Sequence, residues 1–159
     1  MKQPPVSSPA ASPSPQEMLQ RWIDRKASLK EVRGYTDAEL YSIARFGHQF
    51  FMQGKIREAR TLFQGLYAIS PTDIYFAKAL GVVELAAGNA QDALAAFDIA
   101  LRLAPKDASV FIGRAEARLA LGQRKQAAED LLLAMRLLPP KDKLHKKAQA
   151  MLSLLRSSR

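Results

Sequence analysis

Cysteine is absent from all 159 residues, which removes disulfides, thiolate metal sites and cysteine nucleophiles together. Histidine is almost as scarce: His48 and His145 are the two present, far apart and without a carboxylate at ligand spacing. No glycine-rich phosphate loop occurs, no paired-carboxylate arrangement, and no serine in a nucleophile-elbow setting. These absences predict a binding protein rather than an enzyme, with no cofactor and no metal. No apolar run approaches 18 residues, and the first residues carry no stretch of signal-peptide type. Stable membrane insertion is therefore not expected, and a cytoplasmic location is, in keeping with the missing cysteines.

In bulk the chain is ordinary, with 48 % apolar and 25 % charged residues, enough to build one hydrophobic core. The net charge of +9 is unevenly placed. Residues 16–39 hold five groups of each sign, and residues 40–140 hold twelve basic against nine acidic. Residues 141–159 carry six basic groups against Asp142 alone. Basicity confined to one end reads first as the solvated face of a helix, so nucleic acid is not expected as a partner.

Residues 1–15 contain five prolines and four serines and almost nothing that could be buried, which predicts a disordered leader. From Gln16 a helical pattern sets in, with Met18, Leu19, Trp22 and Ile23 on one face, and the N-terminal helix should end within 16–35, before Gly34. Thr36-Asp-Ala-Glu39 is a capping-box sequence and marks a new helix start.

The most informative feature is an internal period of 34 residues, which relates Gly54, Gly88 and Gly122. The same step relates Ala59, Ala93 and Ala127, then Phe63, Phe97 and Leu131, then Pro71, Pro105 and Pro139. A glycine is needed where a first helix turns back in the left-handed conformation. The alanine belongs where the second helix crosses the first closely, and the large residue four positions on lies on the same face. The proline ends the second helix. Each unit is a helix hairpin that buries its apolar stripe only against a neighbour.

This is the tetratricopeptide pattern, and it predicts an all-α solenoid of three hairpins over 36–139. Arg114, Arg118 and Glu84 depart from it, since apolar residues are common at those places. Residues 140–159, with Leu144, Ala148, Met151, Leu152 and Leu155 on one face and basic groups on the other, read as a capping helix.

In such stacks the first helices line the concave side. Counting from the shared glycine places Tyr41, Ala44, His48, Phe51 and Met52 in the groove from the first unit. Tyr75, Lys78, Val82 and Leu85 follow from the second, and Ser109, Ile112, Glu116 and Leu119 from the third. An apolar trough of this kind suits an extended peptide segment. The lysine, asparagine and arginine clamp with which some tetratricopeptide domains hold a terminal carboxylate has no counterpart, because Ala44, His48, Ala79, Ser109 and Gly113 occupy its places.

Over about Trp22–Leu138 the chain also resembles the class II chaperones of type III secretion translocators. The stretches that carry the resemblance are ELYSIA (39–44), QGKIREARTLFQGLYAISPTD (53–73), ALGVVELAAGNAQDALAAFDIALRLAP (79–105) and RAEARLALGQRKQAAEDLLLAMRL (114–137). The resemblance implies three repeats flanked by N- and C-terminal helices, and a cytoplasmic chaperone whose groove takes an extended part of a secreted translocator. It also implies a homodimer through the N-terminal helix, with Trp22 and Ile23 as natural contacts. The alternative reading is a tetratricopeptide scaffold of another bacterial assembly.

Overall fold

The computed structural model describes residues 29–157 together with Ser14, Gln16, Glu17, Gln20 and Arg21. The expected leader before Ser14 and the proposed dimer contacts Trp22 and Ile23 lie outside the described residues. Ser14 and Glu17 exchange the two hydrogen bonds of a capping box, Ser14 N donating to Glu17 Oε2 (2.6 Å) and Glu17 N to Ser14 Oγ (3.2 Å). Helical residues follow it at Gln16–Glu17 and Gln20–Arg21.

From Leu29 the described chain is helical throughout: α1 (Leu29–Arg33), α2 (Asp37–Met52), α3 (Ile56–Ile69), α4 (Ile74–Ala86), α5 (Ala90–Leu103), α6 (Ala108–Ala120), α7 (Arg124–Leu137) and α8 (Lys143–Ser157). Helices α2–α3, α4–α5 and α6–α7 are the three hairpins, an all-α tetratricopeptide solenoid. Thr36 caps α2 as expected, its hydroxyl accepting from Glu39 N while its own N–H donates to the Glu39 carboxylate at 2.8 Å. The hairpin turns are closed by Gly54, Gly88 and Gly122 at φ of +72°, +82° and +75°. After each glycine, an amide reaches back to the last helical turn: Lys55 N to Phe50 O, Asn89 N to Glu84 O, Gln123 N to Arg118 O, at 2.8–2.9 Å. This satisfies carbonyls the helix end would otherwise leave unpaired.

Inside the hairpins the repeated alanines Ala59, Ala93 and Ala127 are all 0 % exposed. The large residues of the same period rest on glycines of the first helices. A Cβ on Gly81 would come within 2.7 Å of the Phe97 ring, and one on Gly113 within 2.6 Å, so Phe97 is held between two bare stretches of backbone. Gly47 faces Phe63 in the same way. In the third hairpin Ala115 stands where Gly47 and Gly81 stand, opposite the smaller Leu131.

Two buried carboxylates account for the residues that broke the sequence pattern. Glu84 of α4 is 2 % exposed and accepts hydrogen bonds from Arg60 Nε, Gln64 Nε2 and Asn89 Nδ2 at 2.7–2.9 Å. Burial pushes its carboxyl up, but those three donors and the Arg60 charge prevail and hold it below the ordinary range. Asp130 of α7 is 1 % exposed and accepts from both Arg114 and Arg118 of α6, while Arg114 also reaches Asp98 of α5. Arg114 thus bridges the second helices α5 and α7, and Arg118 binds α7 alone, in place of apolar contacts.

Curvature follows from the packing. Besides its sequential neighbours, α4 packs against α6, and α6 against α8, whereas α3, α5 and α7 form no comparable contacts with one another among the described residues. Helices α4, α6 and α8 therefore crowd together on the inner side of the arc. The last of them, α8, buries Ala148 and Leu152 against Ile112, Ala115, Leu131 and Ala134.

Candidate peptide groove

Helices α2 and α4 place most of the expected groove residues side by side. His48 and Phe51 from α2, and Tyr75, Lys78, Ala79 and Val82 from α4, wall a cleft of about 320 Å³ whose floor is Phe63 and Val83. The floor belongs to the core, at 2 % and 1 % exposure, whereas Tyr75 and Val82 remain 38 % and 45 % exposed. Tyr75 also borders a second hollow with Ala38, Tyr41, Ser42, Ala44 and Arg45, so the two depressions adjoin at its ring. The Tyr41 and Tyr75 rings lie 5.7 Å apart at 47° to one another, and Tyr41 meets Phe76 at 5.4 Å. The aromatic end of the groove is thus a fixed surface rather than a set of independent side chains.

The polar groups are set by the same period that sets the fold. Asp73 and Asp107, one repeat apart, cap α4 and α6 by accepting from Tyr75 N and Ser109 N. Each spends its second oxygen on the preceding first helix: Tyr41 Oη donates to Asp73 Oδ2 and Lys78 Nζ to Asp107 Oδ2, both at 2.7 Å. The hydrogen bond to Asp73, then burial and the Asp73 and Asp37 charges, push the Tyr41 phenol up to about 12. It is a neutral donor under all ordinary conditions. Burial raises the Asp107 carboxyl, but Lys78 and Ser109 outweigh it and hold it below its usual range. Lys78 therefore meets the groove with its charge already countered.

The remaining expected residues are placed differently. Ala44 and Ile112 are buried, at 1 % and 2 % exposure, Ile112 within the core that α8 completes. Leu85 and Leu119 are half-buried against the cores of the second and third hairpins. Glu116 is half-buried and pairs with Lys147 of α8 at 2.7 Å. The third repeat's share of the inner wall is thus occupied by the chain's own last helix, and the open groove belongs to the first two repeats. Met52 is 72 % exposed but does not border the cleft. Counting from the glycines missed Phe63, Ala79 and Val83, because the cleft floor is formed by core residues that no exposure pattern distinguishes.

Among the described residues no group of three or more His, Asp or Glu is arranged to hold a metal ion, and no helix is long and apolar enough to cross a membrane.

No family model matches the sequence, and no curated protein matches it. Solved structures do. The fold they share with this chain is the tetratricopeptide-type helical solenoid. The type III secretion translocator chaperone SycD of Yersinia enterocolitica is 21 % identical, with a TM-score of 0.74, over 80 % of this chain and 98 % of that one. A type III secretion complex from Aeromonas hydrophila is 20 % identical at a TM-score of 0.79, over 88 % and 95 %. PcrH, known from Pseudomonas aeruginosa, was solved with the chaperone-binding region of PopD and is 23 % identical at a TM-score of 0.73, over 79 % and 96 %. The fold expected from the sequence resemblance is therefore the fold observed.

Proposed function

We propose that this chain is a cytoplasmic, non-catalytic chaperone that holds an extended apolar segment of a type III secretion translocator in the groove between α2 and α4. The observation that carries the reading is the aromatic and aliphatic wall of exposed Tyr41, Tyr75 and Val82 with half-buried Phe51 on the inner face of the arc. It lies on a fold shared with PcrH, which was solved with the chaperone-binding region of PopD. Apolar surface of this kind is costly to leave bare and fits a client whose own apolar segments must be kept from aggregating. Residues 1–15, 16–35, 36–139 and 140–159 then act as leader, N-terminal helix, groove-bearing repeats and cap. The homodimer through Trp22 and Ile23 belongs to the same reading.

The test is co-purification of the tagged chain and a Val82→Asp variant from the native host. Val82 is exposed, so the charge leaves the core intact. The proposal expects one secreted, membrane-inserting partner in stoichiometric amount with the natural chain and its loss from the variant, with equal helical circular dichroism. Recovery of an unrelated multiprotein assembly by both chains would make the protein a scaffold instead.

A further inference from the structure

A third hollow, sharing no lining residue with the groove, lies where the α5–α6 connection meets the start of α8. Ala104, Pro105 and Ala108 line it together with Leu137, Leu138 and Leu144, around a volume of about 750 Å³. Leu137 and Leu144 are 40 % and 36 % exposed, so apolar surface is left open to water there. The far side is held in shape: Asp142 N donates to Pro139 O at 2.9 Å, and His145 Nδ1 hydrogen-bonds Leu138 O at 3.1 Å.

The charges around this hollow are of one effective sign. Lys106 lines it, and Arg136, Lys141 and Lys143 lie in or beside the 137–144 stretch that forms its far side. All four are exposed, and none pairs with a carboxylate among the described residues. The carboxylates of the same two connections are spent within the fold. Asp107 accepts from Ser109 N and Oγ with one oxygen and from Lys78 Nζ with the other, while Asp142 Oδ1 accepts from Leu144 N to cap α8. Four uncountered cations thus surround an aliphatic floor.

We propose that this hollow docks an acidic polypeptide segment. One large apolar side chain of the segment sits against Leu137 and Leu144, and Asp or Glu residues on either side meet Lys106, Arg136, Lys141 and Lys143. Shape and lining decide among anionic partners. A concave apolar floor is filled by a protruding side chain, whereas a lipid surface is met by apolar groups that protrude from the protein. Single-stranded nucleic acid calls for aromatic rings on which bases stack, and the lining contains none. The contacts are exposed ion pairs around an apolar anchor, so affinity is modest and falls as salt rises.

The test selects a display library of random short peptides on the full-length chain carrying Val82→Asp, which removes the groove's contribution. The proposal expects enriched peptides that place Asp or Glu around one large apolar residue. Their affinity should fall about tenfold when Lys106→Glu, Lys141→Glu and Lys143→Glu are combined, with unchanged helical circular dichroism. Leu144→Ser, which keeps every cation, should weaken them as well. Enriched peptides without acidic residues, or equal binding by the triple variant, overturn the proposal. Full affinity in Leu144→Ser also overturns it, by reducing the contact to charge alone. Phosphatidylserine vesicles or duplex DNA bound more tightly than any selected peptide, and lost by the triple variant, would assign the patch to a lipid surface or a nucleic acid instead. Because the groove is blocked throughout, the outcome is independent of whether the groove holds a client.

Discussion

Asp130 shows how a single residue ties three helices. It is buried, it accepts from two arginines of α6, and Arg114 continues the link to α5. Removing its charge leaves Arg114 with Asp98 and takes the carboxylate from Arg118, and the two side chains are 17 % and 19 % exposed. Asp130→Ala is expected to lower unfolding stability by about 3–5 kcal/mol in urea titration, as for other broken buried pairs. Glu84 acts through pH. Its folded carboxyl lies below the ordinary value, so its contribution is present above the unfolded-state value of about 4.3 and is lost as pH falls through the lower folded value. Thermal melts of Glu84→Gln should therefore show a shallower decline than the natural chain as pH falls below about 4. At Gly113 an added methyl meets the Phe97 ring at 2.6 Å, and Gly113→Ala is expected to cost about 1–3 kcal/mol through overpacking. These roles were not legible in the sequence. The period located Glu84, Arg114 and Arg118 as exceptions, but Arg60 and Gln64, which bond Glu84, and Asp98 and Asp130, which bond the arginines, come from other helices, and spacing along one helix cannot reveal pairing between helices.

At the scale of helices far more was readable. The glycine, alanine and proline registers set the turn, the close crossing and the end of each hairpin, and all three sets fall where those roles require. Local chemistry suffices for this, because each register answers a constraint within one hairpin. Ala93 is the sharpest case, 0 % exposed at the crossing of α4 and α5. Ala93→Leu should cost about 1–3 kcal/mol, and a neutral result in chemical denaturation would place the crossing elsewhere. What the registers could not supply is the reach of α8. An apolar stripe in 140–159 predicts a helix that packs, but not that it lies across the inner wall of the third repeat, burying Leu152 beside Ile112 and pairing Lys147 with Glu116. That contact is why Ile112, Glu116 and Leu119 fall away from the open groove. Leu152→Ala should destabilise the chain by about 2–5 kcal/mol in the same denaturation experiment.

On the scale of the whole molecule, function follows from curvature. Stacked hairpins bring first helices together on one side, and that side keeps exposed apolar groups between α2 and α4 while its far part is covered by α8. Of the basic residues gathered near the end of the chain, Lys143 and Lys146 are exposed and Lys147 turns to Glu116 of α6, and none of them borders the cleft. Binding in the groove should accordingly depend little on salt, since the contacts are apolar and its lysine is already paired. The most direct measurement is photocrosslinking in the native host from a benzoylphenylalanine placed at Val82, compared with one at Leu103, which is exposed on a second helix. The account predicts a crosslink to one secreted translocator from position 82 and none from position 103. A client captured equally from both positions, or from 103 alone, would contradict the groove as the place where this protein holds its partner.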